Sequence, residues 1–192
     1  ACAAVAANDT SAVELGEKFR PSVDGFITGI RFYKGTGNTG THTGTLWSNG
    51  GTLLTSAMFA NETASGWQQV DFANPVAVTA NTVYVASYYA PVGRYAVDSN
   101  YFTAGVTNGP LYALSSSESG GNGVYQYGAG GVFPSNTYGS SNYWVDVVFT
   151  TTTGPDTTPP TVTGRTPASG ATGISPSSTV TASFNAPPPP PP

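Results

Sequence analysis

The sequence predicts an all-β fold: an antiparallel β-sandwich, jelly-roll-like, followed by a C-terminal partial immunoglobulin-like segment. Short runs of alternating apolar and polar residues recur between clusters of Gly, Asn, Ser and Pro, which is typical of strands joined by turns. No stretch has the pattern of a helix that could cover a parallel sheet, so an antiparallel arrangement is favoured. Only 8% of the residues are charged, and this shortage of Lys and Glu removes the usual helix-forming surface residues.

The first strand is predicted at residues 26–33, where a two-residue period places Phe26, Ile30 and Phe32 on one face. The glycine-rich run at residues 34–44 has almost nothing to bury and is predicted to be a loop, after which Leu46 and Trp47 resume the apolar pattern. Further strands are predicted at residues 51–59, 67–72, 82–89 and 143–149.

The overall composition limits the classes of function. A length of 192 residues, 39% of them apolar, is enough for one well-packed domain and an appendage. The net charge of -4, with six basic residues scattered singly, argues against nucleic acid as a partner, because such a surface needs clustered Lys and Arg. The longest apolar run is too short to predict a membrane span. The single cysteine, Cys2, cannot form a disulfide within the chain, and its role stays open.

Four segments, taken in order and at their spacing, resemble a known family. They are VELGEKFRPSVDGFITGIRFYKGTGNTGTHTGTLW, TASGWQQVDFANPVAVTANTVYVASYYAP, FTAGVTNGPLYAL and SSNYWVDVVF. Over residues 12–150 the chain resembles the family called domain of unknown function 4082. The resemblance implies a secreted bacterial module at the cell surface, of a kind often joined to immunoglobulin-like domains, sugar-binding domains or enzymes. It implies a location and an architecture, and no reaction.

The region of residues 95–141 sets many aromatic residues among Gly, Ser and Asn. Aromatic rings exposed on loops can stack on pyranose faces, which predicts a carbohydrate-binding module as one interpretation. Its candidate residues are Tyr88, Tyr95, Tyr101 and Tyr127. The other interpretation is that these tyrosines pack the loops onto the sheet with their hydroxyls at the surface.

Candidate catalytic residues are few. His42, the only histidine, lies in a Gly-Thr loop, where we expect a solvent-exposed residue, and nothing near it in sequence supplies an orienting triad. No spacing of carboxylates singles out a pair for glycoside hydrolysis. The glycines at 35, 37 and 40 match a dinucleotide-binding pattern but precede no helix, so they predict a turn. The sequence therefore predicts a protein that is not an enzyme.

No cofactor is predicted, with one exception, a structural calcium ion. By analogy with jelly-roll modules that bind calcium through carboxylates near both termini, the candidate ligands are Glu14, before the first strand, and Asp146, in the last. The alternative is that Asp146 pairs with Arg31 or Arg94 at a strand edge.

The chain divides into five predicted parts by composition. They are a flexible N-terminal arm (residues 1–11), the β-sandwich (12–150), a Thr/Pro linker (151–160), an incomplete immunoglobulin-like segment (161–186) and a polyproline tail (187–192). The arm consists of small residues without periodicity. It is either loose or paired with an edge strand. The proline run is either a stiff polyproline II tail or a stand-in for an unassigned sequence that continues the domain.

The immunoglobulin-like segment carries apolar residues that two strands alone cannot bury. They are Val162, Ile174, Val180 and Phe184. Strand addition to a neighbouring subunit would cover them, and repeated head to tail this contact makes a fibre. The sequence therefore predicts a non-catalytic extracellular structural or adhesion module whose partners are copies of itself or neighbouring extracellular domains. The alternative is a carbohydrate-binding module with a polysaccharide as its partner.

Overall fold

The computed structural model describes residues 5–153 and 161–184, which belong to two separate compact units. The polyproline tail, Cys2 and most of the Thr/Pro linker lie outside the described residues, so their predictions stay predictions. The first unit spans residues 1–153 and contains the β-sandwich.

In the described part of the first unit the regular secondary structure consists almost entirely of strands, as the sequence predicts. The strands are β1 (Val5–Ala6), β2 (Val13–Pro21), β3 (Gly25–Lys34), β4 (Thr43–Ser48), β5 (Leu53–Met58), β6 (Gly66–Val78), β7 (Tyr84–Ala90), β8 (Ala96–Val97), β9 (Val106–Asn108), β10 (Leu111–Ala113), β11 (Val124–Tyr127), β12 (Asn136–Thr137) and β13 (Val145–Thr150). The helical residues are a 3-10 turn at Tyr101–Thr103 and the one-turn helix α1 at Ser116–Ser119.

The strands form two main antiparallel sheets. The larger sheet has the order β12-β11-β2-β7-β4-β5, with β10 also paired to β2 and β9 paired to β10, and the smaller has the order β13-β3-β6. Successive strands from β2 to β4 and from β5 to β7 alternate between the two sheets. Because the chain crosses between the sheets in this way, the all-β, jelly-roll-like sandwich prediction is confirmed.

The core lies between the two sheets and is dominated by aromatic rings. Phe32 of the smaller sheet stacks on Tyr88 of the larger sheet, with ring centroids 4.3 Å apart and planes 18° apart. Phe59 meets the Phe32 ring edge-on at 4.8 Å. Phe32 and Tyr88 are both fully buried. Burying a side chain of this size contributes about 2 kcal/mol, so these rings fix the spacing of the sheets.

Strand β3 contains a bulge that the sequence pattern does not reveal. Its pairing with β6 shifts between Ile27 and Gly29, and its pairing with β13 shifts at the same place. An extra residue reverses the alternation of side chains, so Ile27 is buried beside Ile30 while Phe26 is only half-buried. The prediction that Phe26 shares a face with Ile30 is therefore wrong.

Strand β2 was missing from the predicted elements. Its residues at odd positions, including Val13, Leu15 and Phe19, belong to the core between the sheets, but Glu17 occupies the same inward face. A carboxyl group at an inward position breaks the apolar period. The first strand of the sandwich therefore begins at Val13, and Glu14 lies within it rather than before it.

The outer edge of β2 is shared by two short strands and one side chain. Strand β11 pairs with residues 13–16 and β10 with residues 19–21. In the gap, Lys18 N–H donates to Asn122 Oδ1 at 2.8 Å, and Asn122 Nδ2 donates to the Lys18 carbonyl at 2.9 Å. The same amide donates to the Leu114 carbonyl at 2.7 Å. The buried Asn122 side chain thus continues the hydrogen-bond ladder between β10 and β11.

The N-terminal arm is attached to the sandwich over its described residues. Strand β1 pairs with β8, and Ala7 N–H donates to the Tyr95 carbonyl at 2.8 Å. Arg94 N–H donates to the Asp9 carbonyl at 2.8 Å. Over its described residues the arm therefore has the strand-paired arrangement, which was the alternative prediction.

His42 is fully buried, so the prediction of a solvent-exposed loop residue is wrong. Its Nδ1 lies 2.8 Å from Glu62 Oε2, and its Nε2 lies 2.8 Å from Asn38 Oδ1. Lys34 Nζ donates to the same Glu62 carboxylate at 2.8 Å. Burial lowers the pKa of His42, which Glu62 opposes. This network joins the loops that contain His42 and Glu62 to the end of β3. The glycine-rich sequence around His42 did not predict these buried polar contacts.

The second unit is described over residues 161–184. It forms an antiparallel hairpin of β14 (Val162–Thr166) and β15 (Thr181–Phe184). The four apolar residues predicted for assembly are all exposed, with Val180 80% accessible and Phe184 52%.

The ladder made by Asn122 gives a direct test. In Asn122→Ala the Lys18 N–H and the Lys18 and Leu114 carbonyls lose their bonds to the Asn122 side chain, although the Lys18 carbonyl keeps its bond from Leu114 N–H, so we expect the free energy of unfolding to fall by about 3 kcal/mol. Urea denaturation measures this change. The matched control is Asn136→Ala, whose exposed amide bonds only to the Gln126 side chain, and we expect a loss within about 0.5 kcal/mol. Equal losses in both variants would contradict the role given to Asn122.

Candidate functional site

A groove on the first unit collects five tyrosines and the described end of the N-terminal arm. We call it the tyrosine groove, and it has a volume of about 580 Å³. Its lining residues are Ala7, Asn8, Asp9, Tyr95, Tyr125, Tyr127, Tyr138 and Tyr143. Aromatic rings beside a few convergent polar groups are typical of a ligand-binding site.

Each wall of the groove comes from a different element. Tyr125 and Tyr127 lie two residues apart on β11, so the pleat places both on the same face of the strand, with ring centroids 5.6 Å apart. Tyr95 and Tyr143 meet edge to face at 5.6 Å beside β8 and β13. Tyr138 follows β12 and is the most exposed of the five.

The exposure of the rings separates a floor from a rim. Tyr143 is buried and Tyr95 is half-buried, so both are held firmly by packing. Tyr127 is 48% accessible and Tyr138 is 72% accessible. Two exposed rings therefore stand in one groove above a rigid aromatic floor, and a ligand could reach both.

Asp9 is the polar centre of the groove. Tyr127 donates its hydroxyl hydrogen to Asp9 Oδ2 at 2.5 Å, and the Tyr95 hydroxyl lies 3.4 Å from the same oxygen. Burial alone would raise the pKa of Asp9, but hydrogen bonds from Tyr127 and from the Ser11 backbone and side chain lower it below its usual range. The carboxylate is therefore ionised at neutral pH and fixes the orientation of the rings around it.

The four tyrosines predicted to bind sugar have three different environments. Tyr95 and Tyr127 lie in the tyrosine groove, as a shared site requires. Tyr101 lines a separate cavity beside β13. Tyr88 is fully buried against Phe32, so its prediction as a ligand-stacking ring is wrong. The two-residue period of β7 turns Tyr88 toward the core. The sequence pattern did not predict this burial, because the hydroxyl group makes tyrosine a common surface residue.

The two predicted calcium ligands do not share a site. Glu14 lies on β2 in the larger sheet, where its carboxyl group accepts hydrogen bonds from the Ser87 hydroxyl at 2.6 Å and from Gly131 N–H at 3.2 Å. Asp146 lies on β13 in the smaller sheet and forms an ion pair with Arg31 at 2.6 Å. The pairing of Asp146 with Arg31 was the alternative prediction, and it is confirmed. Residues 5–153 and 161–184 contain no cluster of three or more His, Cys, Asp or Glu side chains placed to hold a metal ion.

Glu14 instead supports a loop on the outer face of the larger sheet. Trp47 Nε1 donates to Ser87 Oγ at 2.8 Å, and this hydroxyl in turn donates to Glu14. The Glu14 carboxyl group also accepts from Gly131, in the loop that places Phe133 5.7 Å from the Trp47 ring. Burial raises the pKa of Glu14 to about 7, although the two hydrogen bonds oppose the rise.

Sequence reasoning missed four groove residues: Asp9, Tyr125, Tyr138 and Tyr143. Tyr125 and Tyr127 stand in a Tyr-Gln-Tyr alternation, which is a strand signal that could have placed them side by side. Asp9 had no such signal, because only the pairing of the arm with β8 brings it beside the rings.

The fold and the groove define an all-β sandwich module with a candidate ligand-binding site. Residues 1–145 match the family described as a domain of unknown function (DUF4082), and the chain belongs to this family. No curated protein and no solved structure matches the chain significantly. Among the described residues, neither short helix has the length and apolar character needed to cross a membrane.

The buried Glu14 carboxyl group predicts a pH dependence of stability. Its pKa is about 7 in the folded protein against 4.5 for the ordinary group, so between these pH values the folded state holds a proton that the unfolded state has lost. Its contribution to the free energy of unfolding therefore falls by about 3 kcal/mol as the pH rises from 4.5 to 7. In Glu14→Gln this loss should disappear, which urea denaturation at several pH values measures.

The control for this experiment is Glu118→Gln. Hydrogen bonds from Tyr112 and Ser115 lower the pKa of Glu118 to about 2, so its own contribution changes at lower pH than that of Glu14. The Glu14 account fails if wild type and Glu14→Gln have the same pH profile between 4.5 and 7.

Proposed function

We propose that this chain is a non-catalytic extracellular adhesion module that binds a neutral polysaccharide in the tyrosine groove. The observation that supports this function most strongly is the exposure of Tyr127 and Tyr138 in one groove with a hydrogen-bonding carboxylate between its walls. Aromatic faces contact the apolar faces of sugar rings, and a carboxylate accepts hydrogen bonds from sugar hydroxyls.

The charge of the groove favours neutral sugars over acidic ones. Asp9 is ionised, and the one cation bonded to the groove lining within the described residues, Arg94, donates to Asn8 Oδ1 at 2.7 Å rather than to Asp9. A uronic acid in the groove would place a second carboxylate near Asp9 without a cation between them. Such like-charge contacts reduce affinity, so neutral hexose or pentose polymers are the proposed ligands.

A binding role agrees better with the groove than catalysis does. Glycoside hydrolysis normally uses two carboxyl groups, and Asp9 is the single carboxylate among the residues that line the groove. His42 is buried with both ring nitrogens in contact with protein oxygens, so it has no free nitrogen for proton transfer to a ligand.

An extracellular location at the bacterial cell surface is part of the proposal. Hydroxyl and amide groups rather than charges make the surface polar, since only 8% of the residues are charged. Such a composition is common in exported β proteins. The groove, with its exposed rings, would there meet polysaccharides of the cell surface or of the surroundings.

The carbohydrate proposal is tested by binding of the whole chain to a panel of soluble neutral polysaccharides, measured by affinity electrophoresis and calorimetry. For the ligand that binds, Tyr127→Ala and Tyr138→Ala should each weaken affinity about tenfold, because each removes a stacking face. Tyr127→Phe should lose less, since the ring stays and only the hydrogen bond to Asp9 goes.

The matched control is Tyr112→Ala, which removes a tyrosine outside the groove whose hydroxyl bonds to Glu118. It should bind as tightly as the wild type. No binding to any neutral polysaccharide at millimolar sugar, or equal losses in Tyr112→Ala and Tyr138→Ala, would contradict the proposed site.

A second candidate function, self-assembly into a surface fibre, is favoured by the hairpin of the second unit. Val162 and Phe184 lie on its two strands and Val180 directly precedes β15, and each is more than half exposed. Exposed apolar side chains on a two-stranded hairpin favour the addition of a further strand, which satisfies backbone groups and side chains together. The added strand would come from a neighbouring copy or from an adjoining extracellular domain.

Assembly through the hairpin predicts an effect of polar substitution. The double variant Val180→Thr and Phe184→Thr has β-branched residues, which suit strands, at both positions but removes apolar area, so it should sediment as a monomer where the wild type forms larger species. Analytical ultracentrifugation and electron microscopy measure the difference. Identical distributions for the two proteins would exclude this surface from assembly.

A further inference from the structure

A second cavity lies between the sheets, against the inner side of β2 and β13. It has a volume of about 200 Å³, room for roughly six water molecules, and we call it the carboxyl pocket. The acidic and most of the aromatic residues that line it are Glu17, Trp67, Tyr101, Phe102, Trp144 and Asp146. None of them lines the tyrosine groove. Most of the other lining residues are apolar, so a charged group inside this cavity is poorly hydrated.

Glu17 is the unusual member of this cavity. Its side chain points from the inward face of β2 into the pocket and is only 8% accessible. No described residue donates a hydrogen bond to its carboxyl group or forms an ion pair with it. Its oxygens are not among the side-chain atoms that are both fully buried and unbonded, so they are open to the pocket, where a ligand can reach them.

The described charged side chains near Glu17 bond to other groups. Asp146 faces the same pocket from β13, but its charge is already paired with Arg31 of β3 at 2.6 Å. Lys18, the neighbour of Glu17 on β2, donates instead to the Ser119 carbonyl at 2.9 Å. Burial, followed by the negative charge of Asp146, raises the pKa of Glu17 well above its usual range. A bound cation would reverse this effect by stabilising the ionised carboxylate.

The Trp144 ring is steeply inclined to the other two aromatic walls of the pocket. The Trp144 ring lies 6.4 Å from Trp67 with planes 78° apart, and 5.5 Å from Tyr101 with planes 63° apart. Flat sugar rings stack on coplanar platforms, whereas steeply inclined walls can surround a compact group. Aromatic faces attract cations, and the Trp67 ring already holds the Arg31 guanidinium at 5.4 Å.

Trp144 is held in a conformation that bulky residues rarely adopt. Its φ is 54°, in the left-handed region. The Asn142 side chain accepts a hydrogen bond from Trp144 N–H at 2.7 Å, and Asp98 accepts one from Nε1 at 3.1 Å. Strained residues that surrounding bonds hold in place are concentrated at binding sites, where the strain aims a side chain. Here the bonds place the indole at the wall of the carboxyl pocket.

We propose that the carboxyl pocket binds an alkylated ammonium group, with Glu17 as the counter-ion and the Trp67, Tyr101 and Trp144 rings as the walls. The occupant is a small quaternary amine of the choline type, free or carried as a head group. When it binds to protonated Glu17, the carboxyl group releases its proton to solvent, and the pair is then a carboxylate and an ammonium. This function is independent of the sugar binding proposed for the tyrosine groove.

The experiment titrates the whole chain with tetramethylammonium, choline, phosphocholine and the neutral isostere of choline, 3,3-dimethylbutan-1-ol. Calorimetry measures affinity, and tryptophan fluorescence reports on the pocket because two of the three tryptophans line it. The two cations should bind at least about tenfold more tightly than the neutral isostere, because only they pair with Glu17. Tighter binding of choline than of phosphocholine indicates a free amine as the occupant, and equal binding of the two indicates a head group.

Two variants test the assignment of roles. Glu17→Gln keeps the size of the side chain and should weaken choline binding at least about tenfold, while a thermal melt shows that the protein stays folded. In the wild type, choline affinity should rise as the pH is raised from about 5 to about 9, and proton release should accompany binding in buffers of different ionisation enthalpy. Both pH effects should be absent in Glu17→Gln. Trp67→Ala should weaken binding, and Tyr112→Ala should not.

Three results would overturn the proposal. They are no binding of tetramethylammonium or choline at tens of millimolar, equal binding of the cations and the neutral isostere, and unchanged choline affinity with unchanged proton release in Glu17→Gln. Absence of binding would show that there is no site for such a cation. Equal binding of the neutral isostere would show that charge plays no part, and an unchanged Glu17→Gln variant would show that Glu17 is not the counter-ion.

Discussion

Both candidate sites depend on how the edge of strand β2 is completed. This edge is shared by β11 and β10, and the Asn122 side chain supplies the hydrogen bonds of the gap between them. Strand β11 carries Tyr125 and Tyr127 into the tyrosine groove, while the inward face of β2 carries Glu17 into the carboxyl pocket. A shift of one residue along β2 would move Glu17 out of the core and would displace both tyrosines, so the register of this edge positions both sites.

Hydrogen bonds from buried polar side chains hold the loops of this protein in place. Glu14, His42 and Asn122 are each fully buried. Glu14 and His42 bond to loops distant from them in sequence, and Asn122 ties its own loop to strand β2. Long loops rich in glycine cost conformational entropy when they are ordered. Such bonds restrict the loops at a few points, and the aromatic rings then pack on a fixed support. The groove can therefore present exposed rings without losing its shape.

The sequence predicted the features that follow from local pattern and missed those that depend on distant contacts. The all-β sandwich, the strands of the regions around Ile30 and Val145, and the family were recognised from periodicity and matching segments. Strand β2 was missed because Glu17 interrupts its apolar period, and the interruption itself marks a candidate site. Tyr88 and His42 were misplaced because burial of a polar ring is decided by the opposite sheet. Asp9 enters the groove only through pairing of the arm with β8.

The most direct test of the central claim is solution NMR of the whole chain with ring-labelled tyrosine, titrated with a neutral oligosaccharide. The eleven tyrosines provide reporters in the groove, in the core and elsewhere on the surface. If the groove is the binding site, the ring signals of Tyr127 and Tyr138 shift most, and that of Tyr112 stays unchanged. Saturable shifts confined to tyrosines outside the groove, or no shifts at millimolar sugar, would contradict the account.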